Sequence, residues 1–101
     1  MIYEGTTPTH TFELPFDLTT AKRIRLIYSQ NNKVLFVREK DNLTVAGSVI
    51  EHKLTQEETL AFDPRYLVEI QIRVLTARDD ALASDIITTT VSRLLEDEVM
   101  V

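Results

Sequence analysis

The sequence predicts an all-β fold, an antiparallel sandwich of about seven strands with one short helical turn near residues 55–61. Three observations lead there. Residues 67–76 place Val68, Ile70, Ile72 and Val74 at spacing two, with Glu69, Gln71 and Arg73 between them. Successive strand side chains point to opposite faces, so one face of this segment is apolar and the other is wet. A parallel strand buried on both sides would read as continuous apolar residues, and this one does not. Second, turn-forming groups recur at short intervals: Gln30-Asn31-Asn32, Lys40-Asp41-Asn42, Ala46-Gly47 and Arg78-Asp79-Asp80. Third, residues 82–95 are rich in Ile and Thr, the composition that packs on a pleated surface.

Each element follows from its own residues. Gly5-Thr6-Thr7-Pro8 ends a lead-in loop over residues 1–8. Residues 9–15 alternate, with Phe12, Leu14 and Phe16 on one side and Thr11, Glu13 and Pro15 on the other. Pro15 cannot donate to a ladder, so this strand is expected at an edge or to end there. Residues 22–29 form the second strand, with Ile24, Leu26 and Tyr28 inward, Arg23 and Arg25 outward, and Ile27 breaking the alternation. Gln30-Asn31-Asn32 marks a tight hairpin, because Asn tolerates positive φ. In residues 33–39, Leu35 and Val37 share one face and Val34 and Phe36 the other, and the pattern leaves open which is buried. Residues 43–45 and 48–54 form a further hairpin about Ala46-Gly47.

Thr55-Gln56-Glu57-Glu58 reads as a helix start, with Thr55 capping the first free N–H groups and Glu58 reaching back to the cap residue. Asp63-Pro64 stops it after a turn or two, before a strand over residues 66–77. In the last strand Ile87, Thr89, Val91 and Leu95 compete with Ile86, Thr88 and Thr90 for the inner face, and a bulge at Ser84-Asp85 would settle the register. Residues 96–101 are expected to be a flexible tail.

The totals bound the function. The 101 residues, 44% hydrophobic and 27% charged, suit one globular domain over 1–101. No cysteine is present, which removes disulfides and thiolate chemistry and leans towards a reducing site of synthesis. A net charge of −5 argues against nucleic acid, whose phosphates need a basic surface. No apolar run reaches the length of a membrane span, and the opening residues lack the pattern of a signal peptide. The expectation is therefore no nucleic acid and no membrane.

Candidate chemistry is thin. His10 and His52 lie on different strands without a second ligand at i+2 or i+4, whereas zinc needs three or four converging ligands, so both are expected to be solvent-facing strand residues. Glu57 and Glu58 are explained by the helix start, Asp79 and Asp80 by a hairpin turn, and Glu96-Asp97-Glu98 by solvation. Loop calcium through Asp17, Asp41, Asp79 or Asp80 is the weaker alternative. Ser29, Ser48, Ser84 and Ser92 lack the glycines of a nucleophile elbow, and Gly5 and Gly47 make no phosphate cradle. Thr88-Thr89-Thr90 reads first as strand composition. Arg23, Arg25, Arg38 and Arg73 could form an anion-binding patch, but cross-strand pairing with Glu13, Glu39, Glu51 and Glu69 is the preferred account. The absence of tryptophan weakens sugar binding, and Phe62 and Tyr66 are expected to plug the end of the core. No catalytic, cofactor-binding or metal-ligating residue is assigned, and no enzyme is expected.

The run from Lys53-Leu54-Thr55-Gln56-Glu57-Glu58-Thr59-Leu60-Ala61-Phe62, then Val68-Glu69-Ile70-Gln71-Ile72-Arg73, then residues 81–95, together with the opening Gly5-Thr6-Thr7-Pro8-Thr9-His10-Thr11-Phe12, resembles small proteins from the tail or baseplate region of phages and prophages of Gram-positive gut bacteria. The resemblance implies an immunoglobulin-like sandwich and a non-catalytic structural or assembly module. Its partners would be other phage structural proteins or further copies of itself. It would sit in the bacterial host cytoplasm during synthesis and in the virion once assembled. The other reading is a ligand-binding sandwich for a host-surface glycan or calcium.

Overall fold

The alternation that marks residues 67–76 becomes a central strand. A computed structural model of the chain describes residues 1–96 and 98–101, among which ten strand segments, one short α-helix and a 3-10 turn over Lys40–Asn42 form. They are β1 (Ile2–Tyr3), β2 (Thr9–Glu13), β3 (Arg23–Gln30), β4 (Lys33–Glu39), β5 (Thr44–Ala46), β6 (Val49–Lys53), α1 (Gln56–Leu60), β7 (Val68–Leu75), β8 (Ala81–Ala83), β9 (Ile87–Thr89) and β10 (Val91–Ser92). The larger sheet runs β4-β3-β7-β8, with β9 pairing the same edge of β7, and the smaller runs β2-β6-β5. Every pair in these two sheets is antiparallel. A parallel two-residue ladder joins β1 to β10. The two antiparallel sheets make an all-β, sandwich-like fold.

The core lies between the sheets. Ile24, Leu26 and Tyr28 of β3 pair with Val74, Ile72 and Ile70 of β7 and are buried with them. Phe12, Leu14, Ile50 and Leu54 bury against them from the smaller sheet. The tight turn between β3 and β4 has both Asn31 and Asn32 at positive φ, the conformation that matches strand twist. A bulge then places Val34 opposite Ser29 but Phe36 opposite Tyr28, which settles the open question of β4: Phe36 and Arg38 face inward, and Val34 stays 56% exposed.

The lead-in loop and the last strand differ from the expectation. The lead-in loop contains β1, whose Ile2 is buried and whose N–H donates to the Thr90 carbonyl. In residues 96–101, expected to be a flexible tail, the Met100 backbone exchanges two hydrogen bonds with the Gln56 amide. The expected single last strand breaks at Ser84–Asp85. There the Ser84 hydroxyl accepts from the Ile72 N–H, while the Ser84 carbonyl takes the Gln71 amide. Past the break Ile87 and Thr89 lie opposite the inward-facing Ile70 and Val68, Val91 is buried, and Ile86 is left outside.

Candidate functional site

Strand parity carries both histidines inward. His10 shares its face with Phe12 and Leu14, and His52 shares its face with Ile50 and Leu54. The register sets His10 directly opposite His52. The expectation that both face solvent is therefore corrected: His52 is buried and His10 half-buried at the rim of the core. Tyr28, crossing from the larger sheet, shares a 2.8 Å hydrogen bond between its Oη and His10 Nδ1. Burial raises the Tyr28 phenol well above its ordinary range. Burial, and then the neighbouring His52, lower His10. Burial thus disfavours the charged form of both partners.

The helix start supplies the charged half of the cluster. Thr55 Oγ1 accepts from the Glu58 N–H at 3.1 Å, and Glu58 Oε1 accepts from the Thr55 N–H at 2.8 Å, completing the predicted capping box. The same carboxylate reaches the inner face of β4, where its Oε2 accepts from Arg38 Nε at 2.6 Å. Its Oε1 also lies 3.5 Å from His52 Nε2. Burial would raise Glu58, but the Thr55 N–H, Arg38 and His52 together hold it below the ordinary carboxylate value. His52 is lowered, with burial outweighing the pull of Glu58. Arg38 also lies 4.6 Å over the Phe36 ring, and Phe36 stacks on Tyr28 at 4.7 Å. A recess of about 440 Å3 opens beside these groups, lined by Arg38, Asn42, His52, Lys53, Thr55 and Glu58. Both carboxylate oxygens are engaged inside the protein, so the cluster clamps α1 to β4 and can take up a proton on acidification.

The other candidates stay apart. Arg23, Arg25 and Arg73 lie on the outer face of the larger sheet, with Arg25 directly opposite Arg73, while Arg38 lies on the inner face. Glu39 pairs with Arg23 at 2.9 Å and Arg25 at 3.3 Å, so cross-strand pairing holds for these two. Asp79 pairs with Lys22 at 2.6 Å. Asp17 accepts from the Thr19 N–H and hydroxyl within its own turn. Glu57, Asp41, Asp80, Glu96 and Glu98 are exposed, and Asp97 lies outside the described residues. Among the described residues, no three His, Asp or Glu side chains gather in an arrangement that could hold a metal ion. Ser29, Ser48, Ser84 and Ser92 are spread over separate strands and turns, and Thr88 and Thr90 are exposed. Phe62 plugs the core against Tyr28 and Phe36 as expected, whereas Tyr66 is 40% exposed and does not.

Sequence reasoning missed Tyr28 as a polar partner and Gln30 as a buried one. Gln30 donates to the carbonyls of Asp63 and Tyr66 and accepts from the Asp63 N–H, tying the segment between α1 and β7 to β3. A signal for the histidines was present, since each stands two residues from an inward apolar side chain. No protein-family model matches the chain, and neither a curated protein nor a solved structure matches it.

Proposed function

We propose that the chain is a non-catalytic structural or assembly module of a phage or prophage tail or baseplate, acting through protein–protein contacts. The resemblance of its sequence to tail-region proteins supplies the setting. The observation that supports a docking role is where the apolar side chains remain in solvent. Val34 is 56% and Ile86 55% exposed, and with Ile27 they line one shallow recess of the larger sheet's outer face. Ile87, on the opposite face, is 41% exposed. Apolar side chains gathered on sheet faces suit contact with another protein. The charged groups next to the core, by contrast, are spent on one another, as the Glu58 contacts illustrate. Repetition in a symmetric particle would add the affinity that one small face lacks.

The test is association with the products of neighbouring genes, by size exclusion and crosslinking, together with a search for the chain in purified particles. Stoichiometric incorporation is the expected result. Absence from particles, with no association at high concentration, would remove the proposal.

A further inference from the structure

We infer that the free edge of β2 is a strand-acceptor site, taking an extended segment of another polypeptide that alternates apolar residues with basic ones. The inference rests on the assembly reading above and names the surface and the chemistry of the partner. Among the described residues, β2 ends its sheet and pairs with β6 alone. The Leu54 N–H donates to the Pro8 carbonyl and the Leu14 N–H to the Ser48 carbonyl, so the even-numbered residues of this segment bond towards β6. In an antiparallel ladder the alternate residues then aim their N–H and C=O groups away, here those of Thr11 and Glu13.

Beside that edge the sandwich is open. Among the described residues, β1 is two residues long and pairs with β10, not with β2. A groove of about 550 Å3 remains between β2 and the segment β8–β9, floored by Phe12, Leu14, Phe16 and Ile87. Ile87 lies opposite the buried Ile70, yet it is 41% exposed on the groove side. The other edges suit pairing less well. β5 has three residues, β4 carries the bulge, and β8 is separated from β9 by the break at Ser84.

Charge selects the occupant. Among the described residues, the charged ones lining the groove are Glu13 and Asp85, both acidic and both exposed. An added strand would place main-chain hydrogen bonds on Thr11 and Glu13, an apolar side chain over Phe12 and Ile87, and a lysine or arginine beside the two carboxylates.

The test uses the full chain, isotopically labelled, and a blocked heptapeptide alternating valine with lysine and threonine. Binding is expected to slow amide exchange at Thr11 and Glu13 by at least about tenfold. A Thr11→Pro variant removes the outward donor while sparing the β6 ladder and should abolish the effect. The surface variant E13K/D85K, which leaves the ladder intact, should weaken the lysine peptide about tenfold and accept its glutamate counterpart instead. No slowing at millimolar peptide, equal slowing by both peptides, or slowing without peptide that grows with protein concentration would overturn the inference, the last by making a second copy the occupant. If the chain is present in purified particles but the peptide leaves β2 unchanged, the edge proposal falls and the assembly reading stands. If the peptide protects β2 but the chain is absent from particles, the assembly reading falls alone.

Discussion

Two neighbours on β7 separate the dry face from the wet one. Ile70 is buried opposite Tyr28, whereas the side chain of Gln71 lies on the outer face and hydrogen-bonds the Ser84 carbonyl. Ile70→Asp should unfold the domain, because an unpaired buried charge costs several kcal/mol against a total of roughly 5–15. Gln71→Asp should cost about 1 kcal/mol, the worth of one hydrogen bond. Equal melting temperatures would contradict the face assignment. The histidines make a second prediction at this scale. Both are lowered in the folded chain, chiefly by burial. The unfolded chain, with ordinary histidines near about 6.5, therefore binds protons first as pH falls. Stability is fully present above that value and is lost as pH drops through it towards the folded values. The Glu58 contribution, from a lowered carboxylate, survives until more acidic pH. Melting temperatures measured from pH 8 to 4 should fall on the acid side, and a His10→Gln/His52→Gln variant should flatten the part of the curve nearest neutrality.

Among the elements, α1 shows how a five-residue helix persists. So short a helix has little stability of its own, and here its cap and its tertiary contact share one carboxylate. Thr55→Ala removes one capping acceptor and should cost about 1 kcal/mol. Glu58→Ala removes the other half of the box and leaves Arg38 without its partner, which should cost about 2–3 kcal/mol. That is below the roughly 3–5 kcal/mol of a fully buried broken pair, because Arg38 keeps 30% exposure to water. Chemical denaturation of the two variants should give that order, and the reverse would mean that the cap, not the clamp, holds the helix. Gln30→Ala strips three hydrogen bonds from the segment entering β7 and should cost about 2 kcal/mol.

At the scale of the whole molecule, the two sheets are unequally closed. The inner strands β3 and β7 are covered on both edges and carry much of the core. β2 and the segment β8–β9 flank the open groove. Amide exchange of the isolated chain should be slowest in the central residues of β3 and β7 and faster at the groove-facing amides of β2 and in β8–β9. Uniform protection across both sheets would mean that the sandwich is shut on all sides.

Faces were legible in the sequence, because side-chain direction along a strand is a local property with a period of two. The parity of Val68 to Val74, of Ile24 to Tyr28 and of Phe12 to Leu14 needs no knowledge of neighbours, and the capping box at Thr55 and Glu58 and the paired Asn turn are equally local. Partners were not legible. That His10 meets His52 and Tyr28, that Arg38 crosses to Glu58, and that Gln30 holds a loop more than thirty residues away follow from strand order and register. Register depends on contacts remote in sequence and, in β4 and the last strand, on the bulge after Tyr28 and the break at Ser84. The sequence by itself determined an all-β chain and the dry face of its regularly alternating strands, β2, β3 and β7. Only the tertiary structure decided which strands meet and which edge is left open, because pairing is a competition among distant segments.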